Sequence, residues 1–139
     1  MAGTVWWPEP NAGDIVWCLF PAVLGTPGPK PRPALVVKVF DDKAPDFWIE
    51  VAYGTSQKTN KLYAGEFLIP NQNSAAFKLA GLSYPTKFNF NAQVKLPFNS
   101  TWFGVPPGGT TQTPILGTLH SSLHKAAAAA YKAALTLKP

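Results

Sequence analysis

The chain has 139 residues, a hydrophobic fraction of 46%, a charged fraction of 14% and a formal net charge of +5. That length suits one compact core, and the apolar content excludes a disordered charged tail, which lacks the surface to collapse. The positive balance favours a polyanionic partner without demanding one.

The expected organisation is a single domain over 1–139, with an N-terminal arm over 1–12, a long loop over 97–114 and a C-terminal helix over 115–137. Fifteen prolines and eleven glycines, dispersed along the chain, call for many turns between short strands, so the class expected is β-rich. The arm carries Trp6, Trp7, Pro8 and Pro10, which cannot form a regular element but can lay indole rings over a core. Gly13-Asp14 opens a first strand running to about Pro21, apolar on both faces and therefore central. The Pro- and Gly-rich stretch 22–33 is a surface loop, followed by β-branched and aromatic strands over 34–40 and 47–53. A polar loop over 54–61 comes next, and then short strands over 66–69, 78–82 and 86–90 with a weaker continuation over 93–96. Such even spacing favours a small barrel over a sandwich. Pro106-Pro107-Gly108-Gly109 marks the long loop, anchored by Trp102-Phe103. Finally Leu116, Leu119, Leu123, Ala127, Ala130, Ala134 and Leu137 recur at helical spacing.

The single cysteine, Cys18, lies within an apolar run and is expected to be buried, and one cysteine allows no intramolecular disulfide. Met1 to Glu9 lacks a basic segment followed by an apolar core, and no apolar run reaches the ~18 residues of a membrane span. A cytoplasmic protein without a membrane partner is the resulting expectation.

Eleven of the twelve basic residues are lysines, and the exception, Arg32, is expected in a Pro31-Arg32-Pro33 turn between two apolar strands, immediately before the second. Prolines on both sides fix its backbone, and a fixed guanidinium fork suits a bidentate phosphate contact. A guanidinium stacked over an aromatic ring is the competing explanation. The loop after Gly54 offers Thr55, Ser56 and Thr59 hydroxyls, the Gln57 amide, and the Lys58 and Lys61 ammonium groups, a set able to hold phosphate and ribose oxygens, or simply to be solvated. In Thr86-Lys87-Phe88-Asn89-Phe90 alternation puts Lys87 and Asn89 on one polar face. Asp14 is either a proton-transfer carboxylate or a turn residue leading into the strand. His120 and His124 stand at i, i+4, a metal-gripping spacing, but without an accompanying Glu or Cys they are expected to flank the helix rather than bind a metal.

The order of these segments resembles the MazF/PemK family of toxin endoribonucleases of bacterial toxin–antitoxin systems. Gly13-Asp14-Ile15-Val16-Trp17 is similar to the family's opening strand, and Pro31-Arg32-Pro33-Ala34-Leu35-Val36-Val37 to its arginine signature, the more specific of the two. Gly54-Thr55-Ser56-Gln57 stands where the family carries a Thr/Ser-rich turn, and Pro85-Thr86-Lys87-Phe88 where a basic strand follows a proline. The resemblance implies an SH3-like β-barrel with a C-terminal helix, a homodimer, a cognate antitoxin, and cleavage of single-stranded RNA by attack of a ribose 2′-hydroxyl on the adjacent phosphate. That reaction needs no cofactor and no metal. The resemblance implies Arg32 and Thr55 as catalytic residues; on that reading Lys30, Ser56, Gln57, Lys58, Lys87 and Asn89 are the expected RNA contacts, and Asp14 or the Thr55 hydroxyl is expected to assist proton transfer. The chain departs from the family ahead of Pro85, where some members carry an Asp and an Arg and this sequence has Ser83 and Gly81. A barrel of this kind that binds RNA or protein without catalysis is the alternative.

Overall fold

A computed structural model describes residues 3–23, 25–108 and 112–137; the parts of the arm and of the long loop at 1–2 and 109–111 lie outside this range. Six strands form one antiparallel sheet: β1 (Asp14–Cys18), β2 (Arg32–Phe40), β3 (Trp48–Thr55), β4 (Glu66–Ile69), β5 (Thr86–Pro97) and β6 (Ile115–Thr118). Their order is β4-β5-β3-β2-β1-β6, so β1, apolar on both faces, is an interior strand as its composition requires. Helix α1 (Ser74–Ala80) joins β4 to β5, and a 3₁₀ turn (Ser121–Leu123) leads into the C-terminal helix α2 (His124–Thr136). The protein is β-rich with a C-terminal helix.

Both faces of the sheet are covered because successive side chains alternate. Ile15, Leu35, Ala52, Phe67 and Phe88 meet the helices on one face, where Ala76, Ala80, Leu123, Ala127, Ala130 and Ala134 supply a small-residue surface for close packing. Val16, Cys18, Ala34, Val36, Ile49 and Val51 form a second cluster on the other, closed by Phe98 and Phe103 of the long loop and by Trp7 of the arm. The arm is held in place: Trp7 Nε1 donates to the Phe103 carbonyl at 3.1 Å, and Trp7 N to that of Phe98 at 3.1 Å.

Three sequence expectations need correction. Residues 78–82 are not a strand, because Ser74–Ala80 is helical; Asn73 Oδ1 accepts from Ala76 N, and Gly81, at φ 70°, ends the helix in the left-handed region. The C-terminal helix starts at His124 rather than 115, since Ile115–Thr118 pairs with β1. Leu116 and Leu119 still reach the helical-face core from this strand and its exit, which is how they imitated a helical repeat. The weaker continuation at 93–96 belongs to one long strand, β5, with a register shift opposite Ala52/Tyr53. No helix among the described residues is long and apolar enough to cross a membrane.

Candidate functional site

Arg32 is the first residue of β2 rather than part of a turn, paired with Cys18 of β1. On its other side Ala34 pairs with Tyr53 of β3, and extending this antiparallel register by two residues brings Arg32 beside Thr55. Gly54 permits the approach, since a Cβ there would strike the Pro33 carbonyl and lie 2.7 Å from the Phe88 ring. Residues 23 apart in sequence therefore share one end of the sheet because β2 begins where β3 ends.

A cleft of about 320 Å³ opens at this end. Arg32 and Thr55 line it together with Ser56, Ser83 and Tyr84, and Pro106 and Pro107 of the long loop form part of its wall. Thr55 Oγ1 accepts from Gln57 N at 3.0 Å, which fixes the hydroxyl oxygen and leaves its own proton free to donate. None of the seven Asp and Glu side chains and neither histidine lines the cleft, so it is an electropositive, hydroxyl-rich site without an acid–base pair of the usual kind.

Arg32 is half-buried, and its guanidinium carbon lies 5.7 Å from the Tyr53 ring centroid. Its guanidinium makes no hydrogen bond or ion pair among the described residues, so the cation–ring contact orients the fork while its N–H donors remain available. The side chain therefore has the aromatic contact of the competing explanation and also lines the cleft.

Compared with models of known protein families the chain matches none, and no curated protein sequence matches it.

The other anticipated site residues are scattered. Ser56 lines the cleft, whereas Gln57 and Lys58 stand exposed on the loop beyond it, Lys58 with φ 53°. Lys30 lines a neighbouring recess. Lys87 is only 5% exposed. Its ammonium donates to Glu66 Oε1 and to the Lys61 carbonyl, both at 3.1 Å, and therefore ties the polar loop to β5 instead of facing solvent. Asn89 is half-buried opposite Tyr53, with Oδ1 accepting from Asn91 N at 2.9 Å.

Asp14 stands apart from the cleft. It is 7% exposed, accepts from Asn11 N at 2.8 Å, and lies about 13 Å along β1 from the Cys18 position that pairs with Arg32. The carboxylate braces the turn into β1 and cannot reach a phosphate held by Arg32. His120 caps the 3₁₀ turn, with Nδ1 accepting from Ser122 N at 3.0 Å, and among the described residues no three His, Cys, Asp or Glu side chains converge.

Sequence reasoning did not select Ser83, Tyr84 or the Pro106-Pro107 wall for a role. Only tertiary structure joins these turns to Arg32, and the one local signal was Tyr84-Pro85, a dipeptide that marks a turn without marking a site.

Proposed function

We propose that the protein is a small barrel-like endoribonuclease of the MazF/PemK type, an SH3-like fold that cleaves single-stranded RNA by 2′-hydroxyl attack on the adjacent phosphate. The observation that carries this reading is the convergence of Arg32, at the start of β2, and Thr55, at the end of β3, on one cleft to which none of the described Asp and Glu side chains contributes. Arg32 stabilises the charge that develops on the phosphorane oxygens, and Thr55 gives one of them a hydrogen bond and so holds the scissile phosphate. As the P–O2′ bond forms and the P–O5′ bond breaks, the 2′-hydroxyl proton passes to water and water protonates the departing 5′-oxygen, leaving 2′,3′-cyclic phosphate and 5′-hydroxyl ends. Ser56, Ser83 and Tyr84 add hydroxyls for ribose and phosphate oxygens. The internal nucleophile comes from the RNA, so the protein need not supply one. In keeping with the resemblance, the working form is a cytoplasmic homodimer controlled by an antitoxin.

With no carboxylate or imidazole in the cleft, the rate enhancement rests on electrostatic stabilisation, and the enzyme is expected to be slow. The same feature favours a second reading, in which the cleft binds RNA without cleaving it. Incubating the purified protein with a long RNA in EDTA separates the two. The first yields fragments ending in 2′,3′-cyclic phosphate; the second yields intact RNA in a salt-sensitive complex.

A further inference from the structure

We propose that the recess beside the cleft is a stacking site for an unpaired nucleobase on Tyr53, vacated by Arg32 when a phosphate enters the cleft. This rests on the cleft being an RNA phosphate site.

The recess has a volume of about 430 Å³ and is walled by Phe20, Pro21, Pro29, Lys30, Arg32 and Tyr53 among others. Among the described residues Arg32 alone lines both this recess and the cleft. The walls are built rather than incidental. Gly28 N donates to the Leu19 carbonyl at 3.0 Å, and a Cβ on Gly28 would strike the Phe20 carbonyl, so the β1–β2 loop lies directly against the chain leaving β1. Phe20 stands edge-on to Tyr53, with centroids 5.1 Å apart and planes at 63°, and fixes the ring whose neighbour is the Arg32 guanidinium.

Among the described residues two cations, Lys30 and Arg32, and no carboxylate border an aromatic floor of Phe20 and Tyr53. An aliphatic ligand would gain nothing from the cations, and a bare anion nothing from the rings. A planar heterocycle attached to a phosphate uses both, as unpaired bases do on aromatic side chains and arginine planes. The guanidinium also has an exchange open to it. Its contact with Tyr53 and the contact a base would make there are of comparable strength, while a charge-assisted bond to phosphate exceeds a neutral one. Phosphate can therefore draw Arg32 toward the cleft, and the base can take its place on the ring. Recognition of a phosphate and of its flanking base would then be coupled through one side chain.

The test is fluorescence anisotropy at low salt with short 2′-fluoro RNA strands, which lack the nucleophile and cannot be cleaved. One base at a time is replaced by an abasic site, and the wild type is compared with Tyr53→Leu and Tyr53→Phe, each checked for folding by its thermal unfolding. The expected result is one position at which base removal weakens wild-type and Tyr53→Phe binding about tenfold and Tyr53→Leu binding hardly at all. Equal positional penalties in wild type and Tyr53→Leu, with binding still dependent on Arg32, would overturn the stacking site alone. Absence of binding by the wild type, or binding indifferent to Arg32→Ala, would remove the RNA reading and this proposal with it.

Discussion

Replacing Lys87 with methionine separates a structural role for this residue from the RNA contact its sequence position suggests. The side chains of Lys87 and Glu66 are 6% and 9% exposed and meet at 3.1 Å. Methionine keeps much of the aliphatic stem but removes the ammonium, leaving Glu66 Oε1 with the Tyr63 N–H alone among the described residues and depriving the Lys61 carbonyl of the Lys87 donor. Breaking a buried pair from one side costs about 3–5 kcal/mol. A domain of this size loses roughly 3 °C per kcal/mol, so Tm should fall by about 10–15 °C. Adding Glu66→Leu should recover most of the loss, because the stranded carboxylate disappears, less about 1 kcal/mol for the orphaned Tyr63 N–H. Urea unfolding followed by circular dichroism measures both steps. A Lys87→Met protein within about 1 kcal/mol of the wild type, or a double variant no more stable than the single one, would refute the ion-pair account. In RNA binding Lys87→Met should leave the salt dependence unchanged, whereas loss of a true phosphate contact lowers that slope by about one.

Other regions give independent checks. Gly54→Ala forces a Cβ into the Pro33 carbonyl and the Phe88 ring and should destabilise by more than about 2 kcal/mol, read by urea unfolding, with the Arg32–Thr55 approach lost. Thr55→Val removes the acceptor for Gln57 N and the donor to phosphate. RNA cleavage should then drop at least about tenfold, measured as kcat, while Thr55→Ser retains most of it. Burial pushes the Cys18 thiol above its ordinary value, so the folded protein should resist alkylation at pH 8 and react only on unfolding. The sign for stability follows. Once the unfolded thiol begins to ionise while the folded one stays protonated, stability falls with rising pH, and Cys18→Ala should lessen that alkaline fall in urea titrations.

Much of the sheet was legible because its strands carry their own signals. The β-branched and aromatic runs at β2 and β3, and the two-faced apolar run at β1, could only be interior strands. The failures have local causes. In α1 the helical pattern is written in Ala76 and Ala80, which a hydrophobicity count barely registers, while Lys78 and Leu82 imitate strand alternation. At β6 a four-residue strand and the exit that follows place Leu116 and Leu119 in the same core that a helical stripe would reach. The site was half legible. Arg32 and Thr55 stood out through their loops, and the β2–β3 register joins them, but Ser83, Tyr84 and Tyr53 gain meaning only from distant segments. Lys87 misled because alternation assigns a face and not a partner, and its partner Glu66 comes from β4 across the pairing with β5.

The most direct test of the account compares single-turnover cleavage of a saturating single-stranded RNA by wild-type protein, Arg32→Ala and Arg32→Lys in EDTA. The wild type should release fragments with 2′,3′-cyclic phosphate ends, Arg32→Ala should be slower by at least about a hundredfold with its fold intact, and lysine should restore only part of the rate. Cleavage by Arg32→Ala at the wild-type rate would contradict the account at its centre.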